Sequence, residues 1–129
     1  AVKITEPRMT NSVNFDETFS KLRALLEPYA GKLRVVHDTD SNYYLDTHYI
    51  MNKQPMFFGA VRKGKAYVSF HLMAVYVFPE LLRELSPELK RRMQGKSCFN
   101  FKTSDEKLLN ELAKLTKAGF AKFKSAKYI

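Results

Sequence analysis

The chain has 129 residues, of which 45% are hydrophobic, and this is enough for one domain with a single apolar core. The 22 Lys and Arg residues outweigh 13 Asp and Glu residues, which gives a formal net charge of +9. A single cysteine excludes an internal disulfide, and no apolar run approaches the roughly 20 residues that a membrane-spanning helix requires.

The N-terminal part predicts an arm followed by a helix. Residues 1–13 are polar, contain Pro7 and show no periodicity, which favours a tail or arm ahead of a single domain at 14–129. Asn14 is a suitable N-cap, and Gly31 suits the end of the helix. Between them, apolar residues recur at helical spacing: Phe15, Phe19, Leu22, Leu26 and Tyr29.

Four strands are predicted between residues 33 and 71. The turn-forming run Asp38–Asn42 separates the first two, and Asn52–Pro55 ends the second. Lys63 and Gly64 are expected to join the third and fourth strands in a tight hairpin, with Gly64 at positive φ. Because each connection is short, the strands are expected to pair in antiparallel fashion.

The C-terminal part predicts a helix, a strand and a second helix. Ser86 as cap and Pro87 as first helical residue continue a short helix to Gly95. The alternating segment Ser97–Phe101 is a fifth strand, and Thr103–Glu106 has capping-box spacing before the terminal helix. The sequence therefore predicts an α+β domain in the order α-β-β-β-β-α-β-α. Its mainly antiparallel five-stranded sheet has helices packed on one face.

The positive charge is concentrated in the second half of the chain. Residues 1–60 carry seven basic and seven acidic side chains, whereas residues 61–129 carry 15 basic and six acidic ones. Such a surface attracts anionic small ligands, nucleic acid or acidic proteins, or else it only keeps the domain in solution. The candidate anion-binding set is Arg83, Lys90, Arg91, Arg92, Lys96 and Lys102, in which the arginines can bind a carboxylate or phosphate bidentately.

Two alternative sites use other residues. The segment 63–70 resembles the RNA-recognition strand signature at seven of eight positions, counting Tyr67 as an aromatic match. The nucleic-acid candidates are therefore Lys63, Lys65 and Tyr67, although Lys65 stands where an aromatic side chain would stack on a base. Imidazoles and carboxylates on neighbouring strands offer ligands for a divalent metal. The metal candidates are His37, Asp38, Asp46 and His48.

No catalytic residue and no cofactor are assigned from the sequence. It contains no Gly-rich phosphate loop, no Ser nucleophile elbow and no paired-carboxylate pattern. Cys98 would need a nearby base to act as a nucleophile. His71 on an adjacent strand is one candidate base, and a buried, inert thiol is the other interpretation of Cys98.

The segments 57–70 (Phe-Phe-Gly-Ala-Val-Arg-Lys-Gly-Lys-Ala-Tyr-Val-Ser-Phe) and 95–102 (Gly-Lys-Ser-Cys-Phe-Asn-Phe-Lys) resemble the YdhG-like domain family, a bacterial family of unknown function. The resemblance covers roughly residues 55–124. It implies a frataxin-like fold, in which helices cover an antiparallel sheet. A relative linked to iron handling makes metal handling an implied alternative, and the resemblance transfers no functional residue.

The combined prediction is a non-catalytic binding or adaptor protein with a preference for anionic ligands or partners. Weak nucleic-acid binding and frataxin-like metal handling are the alternatives. The N-terminal residues lack the basic and apolar regions of a signal peptide, so a cytoplasmic location is expected.

Overall fold

The computed structural model describes residues 15–129, so the predicted arm at 1–13 and the predicted cap Asn14 lie outside the described residues. The first element is helix α1 at 15–26, followed by a 3-10 turn at Glu27–Lys32. Four strands come next: β1 at Arg34–Asp38, β2 at Asn42–Met51, β3 at Gln54–Lys63 and β4 at Val68–Leu72. The remaining elements are α2 at Met73–Val77, a 3-10 turn at Pro79–Leu82, α3 at Pro87–Lys90, β5 at Met93–Gln94, β6 at Cys98–Phe101 and α4 at Glu106–Ser125.

The strands form one antiparallel sheet in the order β1-β2-β3-β4-β6-β5. Helices α1 and α4 pack against one face of the sheet, and an ion pair of 2.9 Å between Lys21 and Glu106 joins them. The predicted α+β class and the antiparallel pairing are confirmed. The predicted count of five strands becomes six, because Met93–Gln94 forms an additional short strand.

The additional strand lies where the sequence predicts the end of a helix. We expected that helix to continue to Gly95, but α3 ends at Lys90. Met93 is instead paired with Phe99 of β6, and Gly95, at φ +79°, turns the chain between β5 and β6. Extended pairing covers the backbone edge of β6 and places Met93 against the core, so tertiary contacts override the helical pattern.

The hairpin turns differ from the predicted ones. Asn52 and Lys53 both have positive φ between paired β2 and β3 residues, as in a type I′ turn. The connection from β3 to β4 is a four-residue loop, in which the amide of Gly64 donates to the backbone oxygen of Tyr67 at 2.9 Å. The predicted positive φ at Gly64 is wrong, because this longer loop does not require it.

Helix α2 is an element that the sequence pattern does not predict. Its five residues follow β4 directly and bury Ala74 and Val75. Gly119 of α4 allows the close approach, because a Cβ atom at that position would lie 2.7 Å from the Cβ atom of Ala74. A helix this short is not stable alone, so packing against α4 determines it.

The helix caps agree with the sequence in one case and differ in the other. Ser86 caps α3 as predicted, and its hydroxyl accepts a hydrogen bond of 3.1 Å from the amide three residues later. The predicted capping box at Thr103–Glu106 is wrong, because α4 begins at Glu106. Its cap is Asp105, which accepts a hydrogen bond of 3.0 Å from the amide of Lys107.

The core lies between the sheet and the helices. Phe58 of β3 is fully buried at its centre, with ring centroids at 6.3 Å from Tyr29, 5.8 Å from Phe120 and 5.5 Å from Phe123. Helix α4 contributes most of the covering layer through its buried apolar face. No helix within residues 15–129 combines the length and the apolar composition that are needed to cross a membrane.

Candidate binding site on the open sheet face

The sheet face opposite to the helices carries a row of side chains that crosses all six strands. Neighbours in this row are directly opposed in the strand register: His37, Tyr44, Ala60, His71, Cys98 and Gln94. A second row runs beside it: Asn42, Arg62, Ser69 and Asn100. Because side chains alternate between the two faces of a strand, the flanking core residues point toward the helices. We call this surface the open face.

A slot crosses the middle of the open face above Ala60. Ala60 is the smallest side chain in the first row, and its two neighbours there are Tyr44 and His71. Adjacent strands are about 4.8 Å apart, so these two side chains rise from strands separated by roughly 10 Å. The cavity over Ala60 has a volume of about 440 Å³. This volume suits one small ligand.

One wall of the slot is aromatic. The rings of Tyr44 and Phe57 lie 4.8 Å apart between centroids and 34° from parallel. The ring of His37 contacts Tyr44 edge-on at 5.7 Å. Burial, followed by the negative charge of Asp46, raises the pKa of Tyr44, so its phenol stays protonated and can donate a hydrogen bond. The wall is therefore an aromatic surface against which a ring can stack.

The end of the slot is cationic. Arg62 lines the cavity and is exposed, and it forms no ion pair with any carboxylate of residues 15–129. Asn42 lines the cavity beside it, and its buried Oδ1 atom has no hydrogen-bond partner within the described part of the chain. Among the described residues, the guanidinium of Arg62 is therefore not paired with a carboxylate and can bind an anionic group.

The other wall contains a histidine and a cysteine on adjacent strands. His71 lies opposite Cys98, with 3.7 Å between Nε2 and Sγ. Burial lowers the pKa of His71, and the positive charge of Arg62 lowers it further. Burial also raises the pKa of Cys98, although a hydrogen bond with Ser69 opposes this effect. The pair is a neutral imidazole beside a neutral thiol, which is not the activated state of a nucleophilic cysteine.

A hydrogen-bonded set of side chains continues from this wall to the sheet edge. Ser69 donates to Oδ1 of Asn100 at 2.8 Å, and Cys98 approaches the same oxygen at 3.3 Å. Nδ2 of Asn100 donates to Gln94 at 2.7 Å. These bonds fix the side chains of β4, β6 and β5, so this wall is held in place before any ligand binds.

His71 makes the stability of the domain depend on pH. Its pKa in the folded state lies below the usual value of 6.5, so the unfolded chain takes up the proton more readily. We expect the free energy of unfolding to fall as pH drops through about 6.5, and this loss should be smaller in His71→Gln. Urea unfolding from about pH 8 to about pH 5 measures the effect.

The matched control for that measurement is His48→Gln, because the His48 side chain is exposed. In this variant, the free energy of unfolding should still fall as the pH drops through about 6.5. Equal pH profiles for His71→Gln and the unmodified protein would show that burial of His71 does not destabilise its protonated form.

The six predicted anion-binding residues lie on several segments from the end of the 3-10 turn at Pro79–Leu82 to the residue after β6. Arg83 lines a surface depression with three carboxylates: Glu80, Glu84 and Glu111. The ammonium group of Lys96 lies 5.9 Å from the ring centroid of Tyr76, and the guanidinium of Arg92 lies 6.0 Å from that of Phe101. The remaining three members are exposed. Lys90 is the last residue of α3, Arg91 follows it, and Lys102 follows β6.

The nucleic-acid candidates lie together at the end of β3 and in the loop that follows it, whereas the metal candidates lie on β1 and β2. Lys63 forms an ion pair with Asp16 of α1, whereas Lys65 and Tyr67 are exposed in the β3–β4 loop. Among the predicted metal ligands, His37 belongs to the open face, and Asp38 is paired with an arginine of α1. The other two lie along β2: Asp46 and His48. Within residues 15–129, no group of three or more His, Cys, Asp or Glu side chains is arranged to hold a metal ion.

Sequence reasoning missed most residues of the slot. It singled out His71 only as a candidate base, and it gave no role to Tyr44, Phe57, Ala60 or Arg62. The sequence does contain one signal for the face on which these residues lie. Tyr44 and Arg62 each follow a buried residue on a predicted strand, and successive side chains of a strand point to opposite faces. Alternation assigns a residue to a face, but the register decides which residues meet.

Comparison of the chain with known protein families, with curated proteins and with solved structures found no match. The resemblance to the YdhG-like family therefore stays a prediction.

Proposed function

We propose that this domain is a non-catalytic binding protein for a small aromatic anion, which it holds in the slot on the open face. The observation that carries the proposal is the position of Ala60 between Tyr44 and His71, with Arg62, which pairs with no carboxylate of residues 15–129, at the same cavity. A small residue flanked by two ring-bearing residues leaves space for a ring, and the guanidinium supplies the charge for its anionic group.

Electrostatics supports an anion with one or two charges. The positive charge of Arg62 contributes to the lowered pKa of His71, and no carboxylate is among the described residues that line the slot. Arg34 and Asp46 also lie on the open face, where they are opposed to each other in the register. A single carboxylate or phosphate matches this arrangement better than a polyanion, which requires a row of cations. The ligand class is therefore an aromatic ring that carries one anionic group.

The experiment is a fluorescence titration with 1-naphthoate and 1-naphthyl phosphate. The chain contains no Trp, so naphthalene emission can be excited without exciting the protein strongly. We expect Arg62→Gln to weaken binding about 10- to 100-fold, because it removes a charge-assisted hydrogen bond. The probe that binds with the higher affinity indicates whether the site prefers a carboxylate or a phosphate.

Two charge-matched controls locate the bound probe. Lys65→Gln removes an exposed positive charge from the neighbouring loop and should leave the affinity unchanged. Lys96→Gln removes a charge beside Tyr76, away from the slot, and should also have no effect. Equal affinity in Arg62→Gln and the unmodified protein would overturn the proposal, and so would a loss confined to Lys96→Gln.

A further inference from the structure

A second and larger cavity lies at the end of the sheet where β2, β4 and β5 end. Its volume is about 900 Å³, and the β2–β3 hairpin, α2, the segment after α2, β5 and the C-terminal segment contribute its walls. Most of the lining is apolar, and its principal members are Met51, Met56, Val75, Leu82, Met93 and Tyr128. The volume lies at the upper end of the range for pockets that bind small molecules.

The charge at this cavity is confined to one residue. Lys96 is the only charged residue among the described residues that line it, and it follows Gly95 in the β5–β6 turn. Its ammonium group is 5.9 Å from the ring centroid of Tyr76, which also lines the cavity. The cavity therefore combines an apolar interior with one cation at its edge, and no carboxylate among its described lining residues opposes that cation.

The edge of the cavity exposes large apolar side chains. Tyr76 is 54% exposed and Met51 is 39% exposed, although both are residues that proteins commonly bury. Three methionines contribute to the walls, and their unbranched side chains adapt to apolar ligands of different shape. Exposed apolar surface around an apolar cavity is typical of a binding site.

We infer that this cavity binds a free, single-chain aliphatic carboxylate, with the hydrocarbon chain between the methionines and the carboxylate at Lys96. Charge complementarity favours an anionic head group, because the one charged side chain among the described lining residues is the cation Lys96. The apolar walls favour a hydrocarbon chain as the rest of the ligand. A fatty acid of medium length has this chemistry, and the site is separate from the slot above Ala60.

The first test compares decanoate with 1-decanol by isothermal titration calorimetry. The two ligands have the same chain and differ in the charge of the head group. We expect Lys96→Gln to weaken decanoate binding about fivefold while leaving 1-decanol binding unchanged. Equal losses for both ligands, or no loss for decanoate, would overturn the assignment of Lys96 to the carboxylate.

The second test varies the chain length from hexanoate to octanoate and decanoate. Each buried methylene contributes about 0.8 kcal/mol, so the affinity should rise about fourfold for each added carbon until the cavity is filled. An affinity that does not depend on chain length would show that the hydrocarbon stays outside the apolar cavity, and it would overturn the inference.

Two further variants separate this site from the slot and from a membrane surface. Arg62→Gln should bind decanoate as tightly as the unmodified protein, because Arg62 lies at the other cavity. Leu82→Trp should reduce decanoate binding by filling the apolar cavity, and if this variant does not fold, the chain-length series decides alone. Binding to vesicles of phosphatidylglycerol without binding of monomeric decanoate would contradict the inference.

Discussion

Replacing Phe58 with alanine is expected to lower the free energy of unfolding by about 3–5 kcal/mol, the largest effect of any single truncation proposed for this domain. Phe58 is fully buried, and its ring packs against Tyr29, Phe120 and Phe123. Its loss removes apolar contact with the 3-10 turn and with α4 at once. The surrounding rings belong to different elements, so they cannot all move to fill the resulting cavity.

The adjacent residue provides a matched control for this prediction. Phe57 lies on the open face, where it is half-buried against Tyr44. Phe57→Ala should lower the free energy of unfolding by about 1 kcal/mol, because less apolar area is lost. The same variant should weaken naphthoate binding about tenfold through the loss of ring stacking.

Urea unfolding followed by circular dichroism measures both variants in one experiment. The expected pattern is a strong effect on stability for Phe58→Ala and a strong effect on binding for Phe57→Ala. A reversal of these two effects would show that the strand register assigned to β3 is incorrect. Equal stability losses would show that both sheet faces are similarly buried.

Introducing leucine at Gly119 is expected to lower the free energy of unfolding by about 2–3 kcal/mol, because it overpacks the contact between α4 and α2. Even a Cβ atom at this position would lie 2.7 Å from Cβ of Ala74 and 3.7 Å from a methyl group of Leu72. The helices would have to separate to admit the side chain. The higher helix propensity of leucine offsets only about 1 kcal/mol of this loss.

Two comparisons test the cause of that destabilisation. Ala118→Leu places the same side chain at an exposed position of α4, and its stability should remain within about 0.5 kcal/mol of the unmodified protein. In the smaller variant Gly119→Ala, adding Ala74→Gly should restore stability by removing the opposing methyl group. Unfolding of Gly119→Leu at the same urea concentration as the unmodified protein would contradict the close packing of α2 and α4.

The elements with strong patterns could be predicted from the sequence, and the short ones could not. Strands β2 and β3 each have ten residues rich in strand-favouring types, and the apolar stripe of α4 extends along a helix of 20 residues, so local pattern and tertiary packing agree. Helix α2 has five residues and β5 has two. Elements this short carry little pattern of their own, and their packing against α4 and β6 determines them.

The binding slot depends on information that a single sequence does not contain. Tyr44, Ala60 and His71 come from three strands, and they become neighbours only through the register of two hairpins. That register includes an irregularity after Leu45 and a four-residue loop after Lys63, where a two-residue turn was predicted. A shift of one residue on β3 would turn Ala60 toward the core and remove the slot.

The measurement that tests the central claim most directly is amide chemical-shift mapping of the 15N-labelled protein during titration with 1-naphthoate. If the aromatic anion occupies the slot on the open face, the largest changes should occur at Ala60, Arg62 and His71, with smaller changes at Tyr44. Changes centred on Val75 and Lys96, or spread along the lysines of α4 with no maximum on the sheet, would contradict the account.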